Sequence, residues 1–214
     1  MGRPLYGADI LSIRDDGTVR VLMALGDHMS GPAPEFENAT LFVPNPLWAI
    51  CPDATLALYD PLQNSIRRLT LDGSETQAAV TLPEERRVEV TADRVFGLMY
   101  PLLVVMIPAD ERPDSAILRA GFEADFDEAR AEMSTVFPQY ADVQCTTGGT
   151  IWLQPFDADG PMGRGSSWLR ISGEETRRVR LPDNFTPFRF TADRAYGVVL
   201  GEYDIPSIAW VAIG

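Results

Sequence analysis

Thr91-Ala92-Asp93-Arg94-Val95-Phe96-Gly97 returns one hundred residues later as Thr191-Ala192-Asp193-Arg194-Ala195-Tyr196-Gly197, with the first four residues and the glycine unchanged. Self-similarity at a fixed spacing signals a repeat architecture, so the unit lying between the two copies decides the fold. Each copy sets a polar turn between apolar runs and reads as strand, turn, strand.

Working outward from this anchor, five related segments emerge: Ile10 to Leu25, Leu47 to Tyr59, Val88 to Tyr100, Val143 to Leu153 and Phe188 to Leu200. Their turns are Asp15-Asp16-Gly17, Pro52-Asp53-Ala54, Thr91 to Arg94, Thr147-Gly148-Gly149 and Thr191 to Arg194, all built from turn-forming residues. The steps between turns are 37 positions from Gly17 to Ala54, 39 to Asp93, 56 to Gly149 and 44 to Asp193. Three are blade-sized, and the long one marks an insertion. Within it Ile117, Leu118, Phe122, Phe126, Ala129 and Met133 recur at three and four residues, which predicts one helical insertion over about 113–137, bounded by Pro113 and Pro138.

Two repeats carry outer strands as well. Ser65 to Leu71, a turn at Asp72-Gly73 and Thr76 to Leu82 match Ser167 to Ile171, a turn at Ser172-Gly173 and Thr176 to Leu181, and both end in Leu-Pro. Four strands in a unit of this size cannot bury both faces alone and must stack on neighbours, as propeller blades do. The expected fold is therefore all-β: a β-propeller of four-stranded antiparallel blades occupying 1–214 as a single domain. The fifth repeat shows three strands, Phe188 to Thr191, Arg194 to Leu200 and Ser207 to Ile213, and suggests a ring incomplete at the N-terminal side.

Pro46-Leu47-Trp48-Ala49-Ile50-Cys51-Pro52-Asp53 looks like the start of a blade. Phe137-Pro138-Gln139-Tyr140 leads into Gly149-Thr150-Ile151-Trp152, and a closing stretch runs from Arg180-Leu181-Pro182 through Gly197-Val198-Val199 to Trp210-Val211. Together these resemble a group of bacterial six-bladed β-propeller proteins, related loosely to NHL-repeat propellers. The resemblance covers nearly all of the chain. It implies six blades with an N-terminal blade missing, a helical insertion late in the ring and an extracytoplasmic location, although Met1 to Tyr6 shows no signal peptide.

Composition narrows the function. Eighteen basic against 31 acidic residues leave a net charge of −13, which repels a phosphate backbone and excludes nucleic acid as the expected partner. The longest apolar stretch, Leu102 to Ile107, is too short to span a bilayer. Cys51 and Cys145 fall in different repeats and read as two small buried thiols, not a disulfide, while a single His28 supplies no histidine cluster for zinc. Trp48, Trp152, Trp168 and Trp210 read as packing between blades.

In a propeller the loops leaving the second strand of each blade and entering the next gather on one face of the channel. The candidate ligand-binding residues there are Asn45, Asp60, Arg86, Tyr140, Asp157, Glu202 and Asp204, with Asp27, His28, Glu84 to Arg87 and Asp183 nearby. Turn formation alone accounts for many of these carboxylates and amides. The leading reading is a non-enzymatic module binding a protein or small molecule through this face. One alternative is a metal-dependent propeller hydrolase or lyase, lactonase-like, in which loop oxygens hold calcium. A second is a partial propeller completed by oligomerisation.

Overall fold

Turn residues at regular intervals break the apolar runs into short strands, and each strand pairs with the next because a tight turn leaves its neighbour within reach. The computed structural model describes residues 9–13, 15–24, 41–108, 110–160, 165–200 and 205–213. Their strands form four antiparallel meanders. The first pairs β1 (Asp9–Ile13) with β2 (Val19–Ala24). The second orders β3 (Leu47–Ile50), β4 (Thr55–Asp60), β5 (Ser65–Thr70) and β6 (Glu75–Thr81). The third orders β7 (Tyr140–Cys145), β8 (Ile151–Pro155), β9 (Ser167–Ser172) and β10 (Glu175–Arg180). The fourth has β11 (Phe185–Phe190), β12 (Arg194–Leu200) and β13 (Pro206–Ala212).

The sheets stack face to face. Successive side chains of a strand point to opposite faces, so Ile151 and Leu153 of β8 join Ala57, Tyr59 and Ile66 of the second sheet, while Trp152 between them joins Phe185, Phe190 and Ala195 of the fourth. Trp152 lies flat on Phe190 with ring centroids 4.3 Å apart, and Trp168 meets the same ring edge-on at 4.9 Å. Trp48 and Trp210 differ from expectation: both are about half exposed, and Arg194 sits 4.5 Å from the Trp210 ring. The second sheet meets the third, and the third the fourth, chiefly through their first strands, β3 against β7 and β7 against β11.

That contact overturns the reading of the cysteines. Cys51 follows β3 and Cys145 ends β7, and the packing of these strands against each other brings the two Cα atoms to 5.0 Å in a disulfide. The bond spans 94 residues of sequence, a separation at which chain entropy favours the folded state by up to about 4.7 kcal/mol.

The helical region is larger than expected. Two helices, α1 (Ala92–Met106) and α2 (Ser115–Ala129), continue into a 3-10 turn at Arg130–Glu132 and pack beside Val90, Phe137 and Ala158. No helix of the described residues is long and apolar enough to cross a membrane. Helix α1 replaces the third expected strand pair, so four of the five repeats are hairpins and the insertion begins before residue 113.

The two heptads therefore share a local device and differ in everything else. Thr91 Oγ1 accepts a hydrogen bond from the Arg94 amide at 3.4 Å and caps α1; Thr191 Oγ1 accepts from the Arg194 amide at 3.1 Å and closes the β11–β12 turn. The surroundings of the residues past each turn decide the outcome. The β12 copy finds β11 and β13 on its two sides, whereas the earlier copy buries Val95 and Leu98 one helical turn apart and sets Phe96 against Phe122 of α2 at 5.4 Å.

The glycines show the divergence. A methyl group at Gly197 would lie 2.4 Å from the Thr186 carbonyl oxygen and 2.6 Å from Phe185 Cζ, whereas Gly97 faces open space. Gly97→Ala is expected to raise stability by up to about 1 kcal/mol, since glycine is the poorer helix former. Gly197→Ala is expected to lower it. Urea denaturation of both variants checks the pair, and destabilisation by Gly97→Ala would show that the first heptad is not helical.

Candidate functional site

Polar cross-links tie the loops at one end of the second, third and fourth sheets. Asn64 Nδ2 donates to the Leu82 carbonyl at 3.1 Å, the Phe156 amide to Gln139 at 2.8 Å and the Leu181 amide to Ser166 at 2.8 Å. Between the third and fourth sheets these loops enclose a cleft of about 610 Å³, lined by Gln154, Asp157, Ser166, Trp168, Arg180, Asp183, Phe185 and Thr186. A compartment of about 470 Å³ shares Asp157, Ser166 and Arg180 with it and extends to Glu85 and Arg178. Its size is that of a small-molecule site.

The walls are charged but largely self-neutralised. Arg178 is ion-paired with Glu85 and donates to Ser167 Oγ at 3.2 Å, while Arg180 holds Asp183 at 3.1 Å. Hydrogen bonding from Ser166, helped by Arg180, holds the Asp183 carboxyl below the usual carboxylate range. Asp157 is the further carboxylate of the described lining. Its Oδ1 accepts from the Asp159 amide at 3.1 Å, and the Gly165 backbone passes so close that a methyl group there would lie 2.6 Å from Oδ2.

Beneath this rim sit two buried polar side chains. Gln154 is 3% exposed and donates through Nε2 to the Gly165 carbonyl at 2.8 Å, yet its Oε1 has no hydrogen-bond partner. Trp168 is 1% exposed, and its Nε1–H is equally unmatched. Tyr59 Oη and Trp152 Nε1 are also unmatched, but neither residue lines the cleft. A buried donor or acceptor left unpaired costs about 1–3 kcal/mol.

The seven residues expected from sequence meet different fates. Asp157 lies in the cleft, and Arg86 lines a smaller cavity of about 200 Å³ that also reaches Asp157. Tyr140 is buried: its hydroxyl donates to the Pro83 carbonyl at 3.0 Å and its ring stands edge-on to Tyr59 at 5.0 Å. Asp60 is also buried and accepts from the amides of Leu62 and Gln63, which makes it the clasp of the β4–β5 turn. Asn45 is exposed ahead of β3 and is not among the cleft residues. Glu202 and Asp204, like Asp27 and His28, lie outside the described residues. Among the described residues no group of three His, Cys, Asp or Glu side chains is placed to hold a metal ion.

Sequence reasoning did not single out Gln154, Arg178 or Arg180, and its reading of Trp168 as packing agrees with the burial of that ring against Phe190. Gln154 had a visible signal, being the one polar residue in the apolar run Ile151-Trp152-Leu153-Gln154 of β8. The two arginines look like ordinary exposed positions of an outer strand.

Burial raises the Tyr140 phenol above its ordinary 10.0, with Glu85 adding to the rise and Arg178 opposing it, and burial raises Tyr59 in the same way. The unfolded chain releases these protons from about pH 10 while the folded chain retains them, so their contribution is full below that pH and falls as pH rises further. Tyr140→Phe is expected to cost about 1 kcal/mol at pH 7 through the lost bond to Pro83 and to make the alkaline decline shallower. Urea midpoints at pH 7 and 11 check this, and equal declines for both proteins would refute it.

Comparison of the chain with protein-family models, with curated proteins and with solved structures finds no match.

Proposed function

We propose that the chain is a β-propeller module of the bacterial six-bladed kind that it resembles, and that it binds a small polar ligand in the cleft between its third and fourth sheets without performing chemistry on it. Stacking of consecutive four-stranded meanders through their first strands supports the propeller part of this reading. The observation that carries the binding part is the cleft of about 610 Å³ in whose lining Gln154, Asp157, Ser166, Arg180 and Asp183 come together between two sheets. Ser166 argues against nucleophilic chemistry there. Its partner is Asp183, whose lowered pKa makes it a weak base. The Cys51–Cys145 bond supports an extracytoplasmic setting, because disulfides persist in oxidising compartments.

A second reading, a partial ring completed by a further copy, is favoured by one observation: the first and fourth sheets both expose apolar side chains. Leu11, Ile13, Val19 and Val21 do so on the first sheet, and Phe188, Ile208 and Trp210 on the fourth.

Each reading has its measurement. In a fragment screen followed by ¹H–¹⁵N spectra, binders are expected to move the indole resonance assigned to Trp168 by its loss in Trp168→Phe; a library that leaves it unmoved overturns the binding module. Light scattering on the eluting protein is expected to exceed the 23.6 kDa of one chain if copies complete the ring, and a strict monomer eliminates that reading.

A further inference from the structure

Going beyond both readings, we infer that β13 is a pairing edge for a second copy of this chain, the two strands running antiparallel about a twofold axis at Ala209. A strand at the rim of a sheet presents a row of unpaired N–H and C=O groups, and folds guard such rims with charge, breaks in register or cover. The other outer strands are guarded. β6 carries Glu75 and lies along two register shifts, β10 has Glu175, Arg177, Arg178 and Arg180 among its six residues, and β11 holds Arg189 with a shift beside it. β1 has Asp9 and a shift after Ile10, β2 has Arg20, and β7 has Asp142 and a shift. β3 is uncharged, but it packs on β7. β13 has none of these devices. Its sequence Pro206-Ser207-Ile208-Ala209-Trp210-Val211-Ala212 bears no charge, and its seven pairs with β12 run without a shift. Among the described residues no strand lies on its other side, where the second and third sheets each have a fourth strand.

The composition of the strand identifies the occupant. Ala209 is its midpoint, so twofold pairing there overlaps all seven residues and sets Ile208 of each copy against Trp210 of the other. Ala209 and Val211 face the buried cluster around Trp152 and Phe190, so Ile208 and Trp210 take the opposite face, where they are 81% and 55% exposed. A β-branched residue opposite an aromatic one is a favoured cross-strand pair, and the symmetry makes it twice. Charge points the same way. Copies of a chain of net charge −13 repel one another, and this rim lets two of them meet without setting ionised side chains of the paired strands face to face. A charged partner would find no charged residue on the strand to recognise. Two identical strands supply each other with backbone partners and apolar cover, and they join two three-stranded sheets into one of six.

The test uses the whole chain. Light scattering over a concentration series is expected to rise from 23.6 kDa to twice that mass. Ile208→Glu, at an exposed position, sets like charges diagonally across the axis and is expected to return the mass to that of one chain. Ala209→Cys checks the register. Both native cysteines are bonded to each other, so the introduced thiol is free, and mild oxidation is expected to cross-link two copies through it. Ser207→Cys, which pairing sets opposite Val211, is expected to cross-link poorly; equal cross-linking at both positions overturns the register. A strict monomer at every concentration, with no cross-link through Ala209→Cys, overturns the inference, and β13 amides slow to exchange in that monomer would show that the same chain covers the edge. A dimer indifferent to Ile208→Glu and lost on Val21→Glu pairs through the exposed sheet faces, which overturns edge pairing and leaves the ring-completion reading standing.

Discussion

A sheet with two apolar faces has to be covered on both, and the rest of this structure depends on that requirement. Strand β8 buries Ile151 and Leu153 toward one neighbour and Trp152 toward the other, so the third sheet has no solvent face along its inner strands. No hairpin could hold this arrangement alone in water, since a lone meander leaves half its apolar side chains wet. The stack is therefore cooperative across sheets. The disulfide between Cys51 and Cys145 pins it where two first strands meet.

Stacking also creates the site. Inner strands packed side by side force the connecting loops to the ends of the sheets, where backbone polar groups find partners in one another, as Ser166 does with Leu181 and Gln139 with Phe156. The cleft between the third and fourth sheets is lined by the strand residues Gln154 and Trp168 together with charged loop and strand-end residues. The paired helices stand at the same end, packed against Phe156 and Ala158 just beyond β8.

Much of the strand pattern was legible. The outer pairs Ser65 to Leu82 and Ser167 to Leu181 fall as β5–β6 and β9–β10 because alternation and turn chemistry are properties of a few neighbouring residues. Asp60 and Tyr140 were misread because turn residues and loop ligands have the same composition: Asp60 clasps a turn and Tyr140 braces the Pro83 carbonyl. Arg178 gave no signal, since its partner Glu85 lies 93 residues away in sequence; Arg180 pairs with Asp183 only three residues on.

The heptad draws the boundary. Sequence alone determined that Thr91 and Thr191 would each tie the amide three residues ahead, because that bond needs no atom beyond its own turn. It likewise determined most of the turns, the strand alternation and the net negative charge. Only tertiary structure decided that one copy becomes a helix and the other a hairpin, that two distant cysteines meet, and that Gln154 and Trp168 line one cleft. Each of those outcomes depends on which apolar surface lies opposite once the sheets stack, and that partner lies far away in the sequence.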